Sequence, residues 1–185
     1  FVSANEGIKA DLARRDFTIN SMAIDIESVR TNEGKVSFTI SNLIDPLNGR
    51  SDLNSGMLRA VSSSSLSDDP VRLMRAVRLS SQYGLRLEDK TYNQIKHIAP
   101  QLKGIAPERI RDEFLKTLSL RGASDSIRLM DKLGLLEQII PEINQSRGVV
   151  QPKEHYWNVF EHLIECVGQL ERVLQDEYGY SQVEV

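Results

Sequence analysis

Cysteine is almost absent from this sequence. Cys166 stands alone among 185 residues, which excludes an internal disulfide framework and favours a reducing compartment. No apolar run approaches the roughly 20 residues that a membrane span needs. The opening Phe1-Val-Ser-Ala-Asn-Glu also lacks the charged and apolar regions of a secretory signal. These absences predict a cytoplasmic protein with no membrane partner. A large charge of either sign is missing as well: the formal net charge is −3, which argues against non-specific binding of nucleic acid. Residues 1–121 nevertheless hold 18 Lys/Arg against 15 Asp/Glu, whereas residues 122–185 hold 5 against 11. The first two thirds are therefore the better place for an anionic ligand.

What is present is ordinary for a globular chain, with 40% hydrophobic and 26% charged residues. The length permits one domain or two small ones. The first residue is Phe, not Met, and Asp176 to Val185 carries no clear capping signal; both features lead to the expectation that the chain is a piece of a longer protein. The run Phe17 to Ile26 ends in an alternation of Met22, Ile24 and Ile26, and Val36 to Ile40 alternates again after the turn signal Thr31-Asn32-Glu33-Gly34. The spacing predicts two strands forming a hairpin that belongs to a larger sheet. Ser62-Ser63-Ser64-Ser65 reads as a flexible polar hinge. Beyond it the period is helical, over about Asp69–Gln82, Glu88–Leu102, Pro107–Leu120, Ser124–Leu133 and Tyr156–Leu174. The pattern is α+β, strands first and helices after.

Four clusters are candidates for chemistry. Arg14-Arg15-Asp16 stands at the entry to the first predicted strand; guanidinium groups bind phosphate through paired donors, and a carboxylate accepts from a ribose hydroxyl, although an ion pair at a strand edge has the same composition. Asp45-Pro46…Gly49…Asp52 reads as a turn whose acids bond their own backbone amides. In Asp68-Asp69-Pro70-Val71-Arg72-Leu73-Met74-Arg75-Ala76-Val77-Arg78, an acid and three arginines recur at three-residue steps behind a helix start signal, with an acid as cap and Pro70 in the first helical position. A helix running through them would make Asp69 and Arg72 near neighbours. The acid accepts one hydrogen bond and the arginine donates two, which matches the amino group and ring acceptors of cytosine and adenine. Uracil and guanine present the reverse, and such mismatches discriminate by roughly 10⁴-fold in a dry site. Glu108 to Phe114, after Pro107, reads as a helix start whose charges make inter-helix ion pairs. His155 and His162 lie seven residues apart with no further ligand in an HD or HxxxH pattern, which predicts no metal site within the chain.

Taken in order, Arg14-Arg15-Asp16-Phe17-Thr18-Ile19-Asn20, Leu43-Ile44-Asp45-Pro46…Gly49…Asp52-Leu53, Asp68 to Arg78, and Pro107-Glu108-Arg109-Ile110…Glu113 resemble the later motifs of the bacterial-type (class II) tRNA nucleotidyltransferase and poly(A) polymerase family. The resemblance implies an α+β fold: residues 1–66 would be the C-terminal strands of a polymerase-β-like nucleotidyltransferase head. Residues 67–145 would be an all-helical neck and body, and 146–185 the start of a further helical domain; were it of the HD type, His162 would be one metal ligand. It implies that Arg15 contacts the incoming nucleotide with Asp16 near the ribose, that Asp69 and Arg72 read the base, and that Arg75 and Arg78 contact the nucleotide. The implied substrates are CTP and ATP, the implied partner the 3′ end of tRNA or another RNA, and the implied cofactor Mg²⁺. That ion would sit on an Asp-x-Asp motif expected before Phe1, so no residue of this chain is expected to be catalytic and the chain alone is expected to be inactive. One departure is Asp68, where the family has Glu. A poly(A) polymerase of the same family and a catalytically inactive helical RNA-binding module are the alternatives.

Overall fold

The architecture is that of a short strand-bearing segment followed by packed helices. The computed structural model describes residues 7–24, 30–32, 35–37, 42–150 and 156–178. The described elements are α1 (Gly7–Ala13), β1 (Ala23–Ile24), β2 (Arg30–Asn32), β3 (Lys35–Ser37), β4 (Leu43–Ile44), α2 (Gly49–Asn54), β5 (Met57–Leu58), α3 (Ser65–Asp68), α4 (Val71–Tyr83), β6 (Arg86–Leu87), α5 (Asp89–Ile98), α6 (Pro107–Leu118), α7 (Ala123–Lys132), α8 (Leu136–Ile139) and α9 (Val159–Tyr178). No helix among the described residues is long and apolar enough to cross a membrane.

The predicted hairpin needs correction. Thr18–Asn20 forms a 3-10 turn, not a strand, and β1 pairs antiparallel with β4 through Ala23 opposite Ile44. The hairpin that does form joins β2 to β3. The rest of the predicted strands, at 25–26 and 38–40, falls outside the described residues.

Three extended segments, distant in sequence, come together where the strand-bearing segment meets the helices. β5 runs parallel to β6, pairing Leu58 with Leu87, while Phe17 bridges to Ala60. Thr18 N donates to Arg59 O at 3.0 Å and Val61 N to Asp16 O at 3.0 Å. Phe17 and Leu58, both fully buried, join this junction to the core formed by Leu66, Leu73, Met74, Val77 and Ile95. An ion-pair clamp lies over it. Arg59 donates to Asp52 at 3.0 Å and to Glu88 at 2.8 Å; Asp52 also accepts from Thr18 Oγ1 at 2.7 Å. Asp52 therefore bonds across to another segment, contrary to the expectation that it serves its own turn, whereas Asp45 does accept from Gly49 N and Arg50 N. Because Arg59 is 41% exposed, water screens its pairs, and Arg59→Ala is expected to cost about 1–2 kcal/mol of stability in urea unfolding.

The helices follow their apolar spacing. In α4 the residues Val71, Leu73, Met74, Ala76, Val77 and Leu79 are buried, and the helix packs on α6 and α7. It stops at Gly84, whose φ of 62° lets Leu85 N reach Ser80 O at 2.9 Å, the six-to-one closure of a helix C-terminus. Its start differs from expectation. Pro70 is the cap residue with no side-chain bond, and Asp69 is extended, with φ −149° and ψ 91°. Ser62–Ser65, expected as a flexible hinge, is a capped turn: Ser62 Oγ accepts from Ser65 N at 3.0 Å, and Ser65 is buried. At the other end, α9 lies against α7, where Glu171 accepts from Gly122 N and Ala123 N and Arg128 sits between Glu161 and Glu165. Phe160 and Ile164 of α9 enter the same core as Met130.

Candidate functional site

The loop Arg14–Asp16, the extended Asp69, the first turns of α4 and one face of α6 enclose a cleft of about 410 Å³. Its lining includes Arg15, Asp16, Asp69, Arg72 and Arg75, together with Arg14, Arg109, Glu113 and Lys116. Five of the six expected nucleotide-contacting residues therefore meet here. Arg78 does not line the cleft; it donates to Glu113 at 2.7 Å and to Gln82 at 2.9 Å.

Asp16 anchors the loop. It is 5% exposed and accepts from Phe17 N at 2.9 Å, Asn20 Nδ2 at 3.2 Å and Arg75 Nε at 2.7 Å. Burial opposes its ionisation, but the hydrogen bond and charge of Arg75, with those from Asn20 and Phe17, outweigh it and hold the carboxyl below its ordinary value. Arg72 binds the same loop from the helix side: Nη1 donates to Ser65 O at 2.9 Å and Arg15 O at 3.4 Å, and Nη2 to Arg14 O at 3.0 Å. Arg15 itself pairs with Asp11 at 2.8 Å on the exposed rim. Both side chains reach solvent, which screens the pair, so a phosphate can take Arg15 from it at small cost.

Asp69 and Arg72 are not the stacked helical neighbours that their spacing predicts, because α4 begins at Val71 with Pro70 as its cap and leaves Asp69 outside the helix. Asp69 Oδ2 instead accepts from Arg109 Nη2 of α6 at 2.8 Å, and this contact raises the arginine's pKa. Glu113, one helical turn further along α6, is buried and receives Arg78 at 2.7 Å, Lys116 at 3.7 Å and Arg75 at 3.9 Å. The inter-helix pairing expected of this segment is made by Glu113 with Arg78 of α4, whereas Arg109 pairs with the extended link before that helix. Arg109, Asp112, Glu113 and Lys116 fall on one face of α6 by helical spacing, a signal present in the sequence, but the spacing does not show what that face meets.

The donor set does not fit Mg²⁺. Asp11, Asp16, Asp69, Asp112 and Glu113 each already pair with an arginine, and no group of three or more His, Cys, Asp or Glu is placed to hold a metal among the described residues. His162 lies 3.6 Å from Cys166, while His155 is outside the described residues. What the cleft offers is a set of guanidinium donors beside carboxylates with one oxygen unengaged, those of Asp11, Asp69 and Asp112, a surface for a flat polar ring and its phosphates.

A head segment of short strands, joined by a clamp to helices that close over an arginine-rich cleft, is the arrangement of a nucleotidyltransferase head with its helical neck. The profile described as poly A polymerase head domain matches residues 2–59, and that described as probable RNA and SrmB-binding site of polymerase A matches residues 84–146. The A-adding tRNA nucleotidyltransferase of Deinococcus radiodurans is 36% identical over 175 residues, covering 92% of this chain and 37% of that protein. The Thermotoga maritima CCA-adding enzyme complexed with tRNA superposes with a TM-score of 0.68 at 27% identity, covering 95% of this chain and 38% of the other. Structures of a CCA-adding enzyme with CTP and with ATP each give 0.67 at 27% identity, covering 95% and 38%. The chain belongs to the poly(A) polymerase and tRNA nucleotidyltransferase family. It spans less than two fifths of the length of these relatives.

Proposed function

We propose that this chain is the nucleotide-selecting part of a tRNA nucleotidyltransferase that adds C and A to tRNA 3′ ends from CTP and ATP. The observation that carries the reading is the unused hydrogen-bonding capacity of Asp69 and Arg72 in the shared cleft. Arg109 takes only Oδ2 of Asp69, leaving Oδ1 to accept from an amino group. Arg72 spends Nη1 and one hydrogen of Nη2 on carbonyls and keeps Nε–H and the other Nη2 hydrogen for two ring acceptors. Cytosine and adenine offer an amino donor beside such acceptors; uracil and guanine would leave these groups unpaired. Arg15, exposed and weakly paired, and Arg75 are the cations assigned to the phosphates. Arg78 acts on the nucleotide only through Glu113, which it shares with Arg75. The relatives that carry tRNA, CTP and ATP in their own structures support the same choice of substrate and partner. The chemical step and its Mg²⁺ are assigned to none of the residues described here.

Steady-state incorporation by the intact protein tests the reading. Asp69→Ala is expected to lower the kcat/KM ratio of CTP over UTP roughly 100-fold, since a deleted acceptor removes the penalty against the wrong base; an unchanged ratio would sink the proposal. The poly(A) polymerase reading draws on the descriptions of both matching profiles. Extension of tRNA lacking its CCA end, against generic RNA, separates the two activities. A binding module without activity would extend neither.

A further inference from the structure

Asp69 occupies the extended link between α3 and α4, outside both helices. The torsion that turns a carboxylate is broad, so the direction in which its oxygens point is set by whatever they bind. Among the described residues that partner is Arg109, at 2.8 Å, reaching from the first turn of α6. The residues themselves sit on firm supports. One turn along α6, the buried Glu113 ties the helix to α4 through Arg78 at 2.7 Å, and the backbone of Asp69 accepts from Arg72 N at 3.0 Å. The pair is 51% and 29% exposed, so it adds little to stability. Its consequence is geometric: with Oδ2 held, Oδ1 is presented in one direction.

We infer that Arg109 is a positioning residue for base selection, which holds one oxygen of Asp69 so that the other meets the amino group of the incoming cytosine or adenine. The inference rests on the proposed role of Asp69 and adds to it the residue that makes the acceptor a fixed one. An acceptor that rotates freely serves an amino group less well and rejects a carbonyl less firmly, so loss of Arg109 affects the choice of nucleotide before it affects folding.

The test is a double-mutant comparison in the intact protein with CTP, ATP and UTP. Arg109→Ala is expected to lower the CTP-over-UTP ratio of kcat/KM roughly tenfold, through a higher KM for CTP, with a thermal midpoint close to that of the wild type. Arg109→Lys, which restores one donor, is expected to recover most of the ratio. In the double variant Asp69→Ala/Arg109→Ala the ratio should match that of Asp69→Ala alone, because Arg109 acts through Asp69. If Asp69→Ala reduces the ratio and Arg109→Ala leaves it as in the wild type, the positioning role is overturned while the role of Asp69 stands. Additive losses in the double variant also overturn it, since Arg109 would then act independently. If Asp69→Ala itself leaves the ratio intact, the base-reading proposal fails first and this inference with it.

Discussion

Gly49→Ala is expected to lower the free energy of unfolding by about 4 kcal/mol, above the usual range for an overpacked site. A Cβ at Gly49 would lie 2.0 Å from Thr18 O and 2.7 Å from Thr18 C. These are backbone atoms, so no rotamer change relieves the overlap. The backbone of Thr18 is held on its other side by Arg59 O at 3.0 Å, and its hydroxyl by Asp52 at 2.7 Å. Gly49 is held by Asp45 at 2.7 Å. Moving α2 away therefore breaks the Thr18–Asp52 bond and loosens the Asp52–Arg59–Glu88 clamp. Gly104 is a suitable contrast: a Cβ there meets nothing within 4 Å, and Gly104→Ala should shift stability by no more than about 1 kcal/mol. Denaturant unfolding of both variants measures the difference; a Gly49→Ala loss no larger than that of Gly104→Ala would show that the close approach of α2 to Thr18 is mistaken.

Asp16→Ala should cost about 3 kcal/mol. The carboxylate is buried, and its removal strands Phe17 N and leaves Arg75 with only the longer contact to Glu113 at 3.9 Å. Breaking a fully buried pair costs about 3–5 kcal/mol; because Arg75 is 34% exposed, solvent recovers part of this. The pH dependence identifies the cause. Asp16 has a lower pKa folded than its ordinary 3.8, so its contribution is fully present above that value and is lost as pH falls through the folded pKa. The stability gap between wild type and Asp16→Ala should be constant from neutrality down to the ordinary carboxylate value, and narrow below it. A gap that does not narrow in acid would assign the loss to packing. The same substitution releases the loop whose carbonyls Arg72 grips, so it is also expected to weaken nucleotide binding.

Much of the helical part was legible because its signals are local. Apolar spacing in Val71 to Leu79 defines the buried face of α4, and Pro107 and the glycines at 84, 122 and 134 bound helices within a residue or three of their predicted ends. The strand-bearing segment was less so. β5 and β6 are each two residues long and pair across 29 positions of sequence, too short to show an alternation and too far apart for a turn signal. The 3-10 turn at Thr18–Asn20 replaced a predicted strand because Phe17 and Thr18 are drawn to Ala60 and Arg59 from outside their own stretch.

The cleft divides in the same way. Which chemical groups are available could be read along the chain: an acid and spaced arginines behind a helix start, an arginine pair before Asp16 and Phe17, and a charged face on α6. Their pairing depends on contacts between distant segments. The i, i+3 rule applies inside a helix, and α4 starts at Val71, after Asp69 and its cap Pro70, so the acid turns to Arg109, 40 residues on, while Arg72 turns back to carbonyls 57 and 58 residues earlier. Guanidinium groups and carboxylates are long-reaching and non-selective; which of them meet depends on the elements that carry them, and those are placed by the burial of apolar faces, not by the charges.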